Sequence, residues 1–263
     1  MLSTLGLTKR YFDFLLRSKS RYSIHSPFVY ELLTRVISIN SQYQVVQDIE
    51  KLRKKLLKNS TMIEVTDLGT KGLSNDYKRK RTISEITRRY AISPKYGKLL
   101  FQLAKHFKPK TIIELGTSLG LSTAYLALSD KDYKVLTLDG CPQTAAIAKQ
   151  NFESLEMKNV ELIVGDFDKT LEEVISKLIS VDLAFFDGNH AKEPTLNYFE
   201  QCLSKVNEHS LFIFDDIHWS IGMEEAWEEI KGHSEVTVTI DLFQFGLIFF
   251  RKEQAKQHFS LRY

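Results

Sequence analysis

Residues 111–123, with the sequence TIIELGTSLGLST, constrain the fold of this chain more than any other stretch. They predict a buried β-strand that ends in an acid, then a tight turn with two glycines, then the first turn of a helix. Gly116 and Gly120 can adopt backbone conformations that other residues avoid, so a ligand can approach this turn closely. In an open α/β sheet, such a unit builds a nucleotide pocket at the carboxyl ends of the strands.

The turn lacks the glycine patterns that bind pyrophosphate. Neither G-x-G-x-x-G nor G-x-x-x-x-G-K-[ST] occurs there. Instead, Glu114 lies two residues before Gly116, and Ser118 stands where a third glycine would be. Because a carboxylate repels phosphate, this turn suits a cationic or hydroxyl-bearing ligand better than a dinucleotide. An ordinary βα turn with incidental glycines is the alternative interpretation.

Strands and helices alternate on both sides of this turn. Ser93-Pro94 predicts the start of a helix that runs to about His106. The strands predicted after it are residues 111–115, 134–138, 160–164, 181–186, 211–214, 236–242 and 246–251. The helices predicted between them are residues 119–128, 142–155, 171–179, 195–206 and 221–230. The alternation predicts an α/β fold with a doubly wound, mostly parallel, seven-stranded sheet that ends in an antiparallel hairpin.

Residues 1–92 predict a helical extension before a main domain at 93–263. Aromatic and leucine side chains at 11–16 indicate a short amphipathic helix, and Ser26-Pro27 is typical of a helix start. Residues 45–57 predict another helix, and the glycines and small polar residues of 65–75 predict a loop. Because short amphipathic helices need another surface, we expect them to cover an acceptor pocket or to form a homodimer contact.

Composition indicates a soluble intracellular protein. The chain has 263 residues, of which 43% are hydrophobic, and no apolar run approaches the length of a membrane span. Its start lacks the layout of a signal peptide. Cys141 and Cys202 form no metal or redox motif, which fits a reducing compartment. We therefore expect a cytoplasmic location and no membrane partner.

The charge is mild overall but clustered in two basic runs. A net charge of +3 does not by itself indicate nucleic acid. The runs contain Lys51, Arg53, Lys54, Lys55 and Lys58, and then Lys78, Arg79, Lys80, Arg81, Arg88 and Arg89. The favoured interpretation is a solvated helix face plus a basic loop, and the alternative is a surface for an anionic substrate or RNA.

Acidic residues follow all five of the first predicted strands. They are Glu114, Asp139, Asp166, Asp187, and the pair Asp215 and Asp216. Turns favour Asp, but turn chemistry alone does not explain an acid at every strand end. Like charges that gather need a cation or a proton between them, and oxygen ligands suit Mg²⁺ or another divalent ion. Asp187, Asp215 and Asp216 are therefore candidate metal ligands, with His218 as a further candidate.

The motif ELGTSLGLST resembles the glycine motif of catechol-type O-methyltransferases, which are class I S-adenosylmethionine (SAM) methyltransferases. The resemblance covers about residues 93–251. It implies SAM as the cofactor, with Asp139 at the ribose hydroxyls and Asp166 at the adenine amine. The cofactor-binding residues implied are Glu114, Gly116, Thr117, Ser118, Gly120, Ser122, Asp139, Gly140, Asp166, Phe167 and Asp187. In this family an amide follows the last acid of the metal set, whereas this chain has Asp216.

The tetrad Asp187-Gly188-Asn189-His190 resembles the D-G-[DN]-H element of a related branch that includes sugar O-methyltransferases. An imidazole near neutral pKa is a suitable general base for a hydroxyl nucleophile, so His190 is the candidate base. Lys192 is a second, weaker candidate for this role. The alternative for His190 is a cap of the following helix, and the alternative for Asp187 is a contact with the SAM amino group or a loop backbone.

These motifs predict a SAM-dependent methyltransferase that acts on a hydroxyl of a small molecule. One alternative is an RNA or protein methyltransferase that binds its substrate through the basic N-terminal region. Another is a SAM-binding protein without catalytic activity. The sequence does not identify the methyl acceptor.

Overall fold

The computed structural model describes residues 4–39, 41–66 and 78–263. The strands are β1 (Met62–Thr66), β2 (Lys78–Thr82), β3 (Thr111–Leu115), β4 (Lys134–Asp139), β5 (Val160–Val164), β6 (Leu183–Phe186), β7 (Leu211–Phe214), β8 (Val238–Asp241), β9 (Gly246–Phe249) and β10 (Gln257–Ser260). The helices are α1 (Thr4–Arg17), α2 (Pro27–Leu32), α3 (Gln44–Leu56), α4 (Ile83–Arg89), α5 (Pro94–Phe107), α6 (Leu121–Ala127), α7 (Pro142–Ser154), α8 (Phe167–Ser176), α9 (Lys192–Leu203) and α10 (Ile221–Gly232). A 3₁₀ turn at Arg21–Ser23 and a π-helical segment at Leu33–Ile37 flank α2.

The chain forms two compact units, which we call the carboxylate unit (residues 1–39 and 177–263) and the glycine-turn unit (residues 40–176). In the described part of the carboxylate unit, five strands lie in the order β10-β8-β9-β7-β6. β6 and β7 are parallel, and β9 is antiparallel to both β7 and β8. The predicted terminal hairpin is therefore confirmed, because β8 and β9 are neighbouring antiparallel strands.

The glycine-turn unit contains a parallel set with β4 between β3 and β5. It also contains a separate two-stranded antiparallel sheet made of β1 and β2. α6 packs against β4, α7 packs against β4 and β5, and α5 packs against α6. Parallel strands that alternate with helices confirm the predicted α/β class.

Buried apolar runs explain why the parallel strands form where they do. β7 has the sequence LFIF and is buried at every position, and β3 has the sequence TIIEL and is buried at all positions but the first. Parallel strands that are covered on both faces have mostly apolar sequences, and the sequences of β3 and β7 match this expectation. The predicted limits of β3, β5 and β7 are confirmed.

Two predicted helix starts are confirmed by their hydrogen bonds. The Ser26 hydroxyl accepts the N–H of Val29, and Pro27 is the first residue of α2. Ser93 accepts the N–H of Tyr96 in the same way at the start of α5. A hydroxyl that accepts a free N–H in the first turn stabilises a helix by about 1 kcal/mol.

The prediction that residues 78–81 form a basic loop is wrong, because they belong to β2. A run of four cations has no apolar alternation, and its extended conformation comes from backbone pairing with β1. Val65 and Thr66 of the predicted 65–75 loop likewise lie in β1, while residues 67–75 fall outside the described residues. The first 92 residues are therefore not helices and one loop alone.

The structure adds β10, which the sequence did not predict. It pairs in parallel with β8, and Lys19 forms an isolated bridge to Leu261 beside it. The helices that follow β5 and β6 begin earlier than predicted, at Phe167 and Lys192. The predicted boundary between residues 92 and 93 stays a prediction. In the described part of the chain, no helix is both long enough and apolar enough to cross a membrane.

Candidate cofactor turn and carboxylate cluster

The glycine turn after β3 is held in an unusual backbone conformation. Gly116 has φ of 106°, Ser118 has φ of 49° and Gly120 has φ of 80°. The N–H groups of Gly116 and Thr117 both donate to the carbonyl of Leu138, at 2.9 and 3.2 Å. The turn therefore folds back onto the end of β4, and three of its residues lie in a region that favours glycine.

Gly120 is required for steric reasons as well as for its backbone conformation. A Cβ atom at this position would lie 2.4 Å from the Phe152 ring. The Asn151 side chain donates to the carbonyl of Leu119 at 2.9 Å, which ties the same part of the turn to α7. The turn thus packs closely on α7, and a side chain at residue 120 has no space.

Asp139, at the end of β4, closes the turn with its carboxylate. Its Oδ2 accepts the N–H of Ser118 at 2.6 Å. Its Oδ1 accepts the N–H of Cys141 at 2.7 Å and the hydroxyl of Thr144 at 3.0 Å. Burial raises the pKa of Asp139, whereas these hydrogen bonds lower it. Oδ1 therefore accepts two donors and Oδ2 one, which leaves a lone pair of Oδ2 that can accept a ligand hydroxyl.

Glu114 lies inside the unit beneath the turn. Its side chain is fully buried, and its Oε2 accepts the hydroxyls of Thr123 and Thr137, at 2.5 and 2.7 Å. Burial raises the pKa of Glu114 to about 7, and the hydroxyl donors oppose that shift. Glu114 therefore joins β3, β4 and α6, a bracing role that the sequence did not indicate.

The other predicted cofactor residues lie along the same edge of the unit. Thr117 and Ser122 are buried, and the Thr117 hydroxyl is hydrogen-bonded to Thr137. Asp166 and Phe167 follow β5 and are partly exposed. The Asp166 Oδ1 accepts the N–H of Asp168 at 3.2 Å, which favours the early start of α8. Gly140 lies between Asp139 and the start of α7.

The carboxylate unit brings three of the strand-end acids together. Phe186 and Phe214 are partners in the parallel register of β6 and β7, so Asp187 and Asp215 leave the sheet side by side. The N–H of Asp215 donates to the Phe186 carbonyl at 2.9 Å. The N–H of Asp216, whose φ is 55°, donates to the Asp215 Oδ1 at 2.9 Å.

Asp215 is the most perturbed of these acids. Its side chain is buried, and burial raises its pKa well above the ordinary value. The charges of Asp187 and Asp216 raise the pKa further, as does a hydrogen bond with Asp187, whereas His190 lowers it. Burial also raises the pKa of Asp216. The raised pKa of Asp215 favours its protonated form, which reduces the repulsion among the three acids.

His190 lies beside this cluster. Its Nε2 is 3.5 Å from the Asp187 Oδ1, and about three tenths of its side chain is exposed. The helix after it has Ala191 as its N-cap residue, with no side-chain cap bond. The alternative that His190 caps α9 is therefore wrong, and the imidazole is available for chemistry.

Lys192 is placed less well for a base. Its ammonium is 2.6 Å from a Glu229 oxygen and 3.2 Å from a Glu225 oxygen. These acids raise the pKa of Lys192, the hydrogen bond to Glu229 being the largest cause. A lysine that is held in its charged form cannot accept a proton, so its environment does not favour the catalytic role.

His218 uses both ring nitrogens in contacts within the protein. Its Nδ1 is 2.9 Å from Glu224, and its Nε2 is 2.9 Å from Asp241. Although burial lowers the pKa of His218, these two acids raise it overall. The suggestion that His218 ligates a metal is therefore wrong in this arrangement, since neither nitrogen has a free lone pair directed at the cluster.

The residue types of the carboxylate cluster suit a divalent cation, but their spacing does not. Within residues 4–39, 41–66 and 78–263, no group of three or more His, Cys, Asp or Glu side chains could hold a metal ion. The charges of Asp187 and Asp216 raise the pKa of Asp215, which favours a protonated acid beside Asp187. The described arrangement is therefore that of an acid pair and not of a preformed metal site.

Comparisons with known proteins support the predicted resemblance. Residues 113–217 match a protein family described as "Methyltransferase domain". A catechol O-methyltransferase of Niastella koreensis is 29% identical over 130 residues, which covers 48% of this chain and 58% of that protein. A catechol O-methyltransferase of Mycobacterium tuberculosis is 28% identical over 131 residues, which covers 49% of this chain and 58% of that protein. The match thus spans less than two thirds of either relative.

The fold is shared with a solved structure. An O-methyltransferase from Bacillus cereus in complex with S-adenosylhomocysteine (SAH) has a TM-score of 0.58 and 18% identity, covering 84% of this chain and 100% of that chain. An identity this low shows the fold alone. The fold is the Rossmann-like one of class I methyltransferases, and the resemblance to that class predicted from the motifs is confirmed.

Sequence reasoning missed the residues after β4 that contact Asp139 or β1. Cys141, Gln143 and Thr144 belong to no motif, and their partners are backbone groups or the Asp139 carboxylate. The only sequence signal for them is their position in the first turn of the helix that follows a strand-end acid.

Proposed function

We propose that this chain is a SAM-dependent methyltransferase that transfers a methyl group to the hydroxyl oxygen of a small molecule. The observation that carries the proposal is the glycine turn closed by Asp139. Its carboxylate accepts one N–H at Oδ2, so a lone pair of Oδ2 can accept a ligand hydroxyl. The methyltransferase family match over residues 113–217 includes this turn, and the Bacillus cereus neighbour was solved with SAH.

The acceptor hydroxyl needs a base, because an alcohol or phenol is a poor nucleophile while it carries its proton. His190 supplies this base in the proposed reaction. Asp187, 3.5 Å from Nε2, orients the imidazole and stabilises the imidazolium that forms. The acceptor proton moves to Nδ1, the oxygen attacks the methyl carbon of SAM, and the carbon–sulfur electron pair stays on sulfur to give SAH. Positioning of the two reactants supplies most of the remaining rate.

The resemblance also implies a divalent cation, which would lower the pKa of a bound hydroxyl. Asp187, Asp215 and Asp216 are the residues it implies, but among the described residues no three acidic, histidine or cysteine side chains are spaced as ligands. The proposed reaction therefore contains no step through a metal. Turnover that EDTA abolishes and Mg²⁺ restores would contradict this and return the three acids to the role of ligands.

The N-terminal helix α1 contacts the segment that follows the acid cluster. Arg10 forms an ion pair with Glu224 at 2.8 Å and donates to the His218 carbonyl at 3.2 Å. Tyr11 packs edge-on against Phe243, with ring centroids 4.8 Å apart. These contacts support a role for α1 beside the acceptor. Deleting residues 1–60 should give insoluble or inactive protein, and a soluble truncation with full turnover would contradict it.

The first test is cofactor binding. Calorimetry should show that the wild-type chain binds SAH and does not bind NADH. The second test is turnover with SAM on a panel of hydroxyl acceptors that begins with catechol. His190→Ala should lower kcat more than it lowers SAH affinity, because His190 acts on the acceptor. A chain that binds NADH and not SAH would overturn the assignment, and SAH binding without turnover on any hydroxyl would favour the non-catalytic alternative.

A further inference from the structure

β1 has two different partners along its two edges. One edge pairs with β2, for example Glu64 with Lys80. The other edge has side chains as partners. There, the N–H of Glu64 donates to Gln143 Oε1 at 2.8 Å, and the N–H of Thr66 donates to the Cys141 sulfur at 3.3 Å. The Cys141 thiol in turn lies 3.7 Å from the Glu64 carbonyl, as a donor to it.

These contacts matter because β1 and β2 form a sheet of only two strands. A two-stranded sheet is marginally stable in water unless it packs on another element. Here that element is α7, whose first turn supplies Gln143 and is preceded by Cys141. The position of the β1–β2 pair, which we call the hairpin sheet, is therefore set by the residues that begin α7.

The same residues also contact the acid proposed to bind the cofactor ribose. The N–H of Cys141 donates to the Asp139 Oδ1 at 2.7 Å, while its thiol contacts β1. Cys141 is buried, so its backbone and its side chain are both fixed by these partners. A short chain of contacts thus leads from the Asp139 carboxylate through Cys141 to the edge of β1, with Gln143 as a second contact at the same edge.

We propose that docking of the hairpin sheet is coupled to binding of the cofactor, with Cys141 and Gln143 as the positioning residues. The inference rests on the proposed function, because it requires a ligand whose hydroxyls bind Asp139. When the sheet leaves, Cys141 loses its thiol partners and its N–H is held less firmly against the carboxylate. When ligand hydroxyls fix the carboxylate, Cys141 is fixed with it. Coupling of this kind is reciprocal, so each event strengthens the other by the same factor.

The coupling has a consequence for the acceptor side. β2 carries Lys78, Arg79, Lys80 and Arg81, and the first three are exposed. If cofactor binding orders the hairpin sheet, it also fixes the position of this basic strand. An acceptor with a negative group would then meet an ordered basic strand only on the cofactor-bound protein.

Hydrogen exchange measured with and without SAH tests the coupling on the full chain. In the wild type, SAH should slow exchange of the Glu64 and Thr66 amides by about twofold to tenfold, the range that one hydrogen bond supplies. Gln143→Ala should weaken SAH binding by a similar factor and should remove the added protection. Gln143→Glu keeps an oxygen acceptor and should retain both effects. Gln150→Ala, an exposed site on the same helix, is the matched control and should change neither.

A purely structural contact would give a different pattern. Gln143→Ala would then speed exchange of the Glu64 amide with and without SAH and would leave SAH affinity at the wild-type value, which would overturn the coupling. Cys141→Ala provides an independent check, since it removes the thiol contact and should weaken SAH binding as Gln143→Ala does. If the wild type does not bind SAH at all, the proposed function fails. If it binds SAH with no change at Glu64 and Thr66, the coupling alone fails.

Discussion

Asp139 and Asp215 make an informative pair because they occupy the same kind of position in the two units. Each follows or ends a parallel strand, and their exposed fractions are 7% and 6%. Asp139 receives two backbone N–H groups and one hydroxyl. Asp215 receives one backbone N–H and faces the carboxylates of Asp187 and Asp216. One sequence signal, an acid at a strand end, therefore leads to two different chemical states.

The difference lies in what surrounds each buried charge. Burial raises the pKa of both acids, but donors oppose the shift at Asp139 whereas neighbouring carboxylates increase it at Asp215. A buried carboxylate with three donors can stay ionised and hold a turn closed. A buried carboxyl between two others lowers the repulsion by holding a proton. Asp139 is thus held by three hydrogen-bond donors, whereas the surroundings of Asp215 favour its protonated form.

The largest effect is expected when a substitution disrupts the glycine turn that Asp139 closes. Gly120→Ala places a Cβ 2.4 Å from the Phe152 ring and forces a φ of 80° on a residue with a side chain. Strain and overpacking together should lower the free energy of unfolding by about 2–5 kcal/mol. Urea denaturation measures this change. Gly232→Ala is the control, because a Cβ there meets nothing within 4 Å, and a similar loss in both variants would refute the steric argument.

The second effect compares the two acids directly through SAH affinity. In Asp139→Asn, an amide N–H replaces one oxygen and faces either the Ser118 or the Cys141 N–H, so one backbone hydrogen bond becomes a repulsion. With a ligand hydroxyl also affected, SAH binding should weaken about tenfold to a hundredfold. Asp215→Asn should bind SAH as the wild type does. Equal losses in the two variants, measured by calorimetry, would remove the distinction between the acids.

The strands whose predicted limits are confirmed are short and mostly apolar in sequence. β3, β5 and β7 have the predicted limits because each is a short apolar run between turn residues. β2 and β10, with the sequences KRKRT and QHFS, have no such pattern. They are strands because β1 and β8 offer backbone partners, and pairing between distant segments leaves little trace in the local sequence.

The sequence likewise predicts some residues of the candidate site and not others. The acids at the strand ends and the two glycines could be predicted, because their type and spacing follow from the chemistry of a strand–turn–helix unit. The roles of Cys141 and Gln143 could not, since their partners are backbone N–H groups of β1, more than seventy residues earlier in the chain. Glu114 was predicted as a ligand contact, and that contact stays a prediction; its Oε2 also braces two threonines, which the sequence did not indicate.

The third effect concerns the dependence of stability on pH. The pKa of Asp215 is raised in the folded chain, so above the ordinary Asp pKa the unfolded chain releases a proton that the folded chain keeps. The free energy of unfolding of the wild type therefore falls as the pH rises, until the raised pKa is passed. Asp215→Asn resembles the protonated acid at every pH and lacks this contribution.

Denaturation at several pH values from about 4 to about 8 measures the difference in stability between the two proteins. This range spans an ordinary and a strongly raised carboxyl pKa. The stability of Asp215→Asn relative to the wild type should increase as the pH rises. Glu114, whose pKa is raised to about 7, contributes the same slope to both proteins and cancels in the difference. A difference that is constant with pH, or that shrinks as the pH rises, would show that Asp215 is ionised and would undo the comparison with Asp139.

The smallest effect is expected at Lys192, which carries a charge that is already satisfied outside the acid cluster. Its ammonium contacts Glu229 at 2.6 Å and Glu225 at 3.2 Å near the surface, and exposed ion pairs contribute little to stability because water and salt screen them. Lys192→Gln should therefore change the thermal midpoint slightly at low salt and not at all at high salt, with SAH affinity unchanged.

Lys231→Gln is the matched control, because Lys231 pairs with Glu228 at 2.6 Å on the same helix, α10, that carries Glu225 and Glu229. The two variants should behave alike in turnover as well, because both lysines are paired with glutamates of α10. A loss of turnover in Lys192→Gln that Lys231→Gln does not show would make Lys192 the base in place of His190, and the acid cluster beside His190 would then have no direct link to the chemistry.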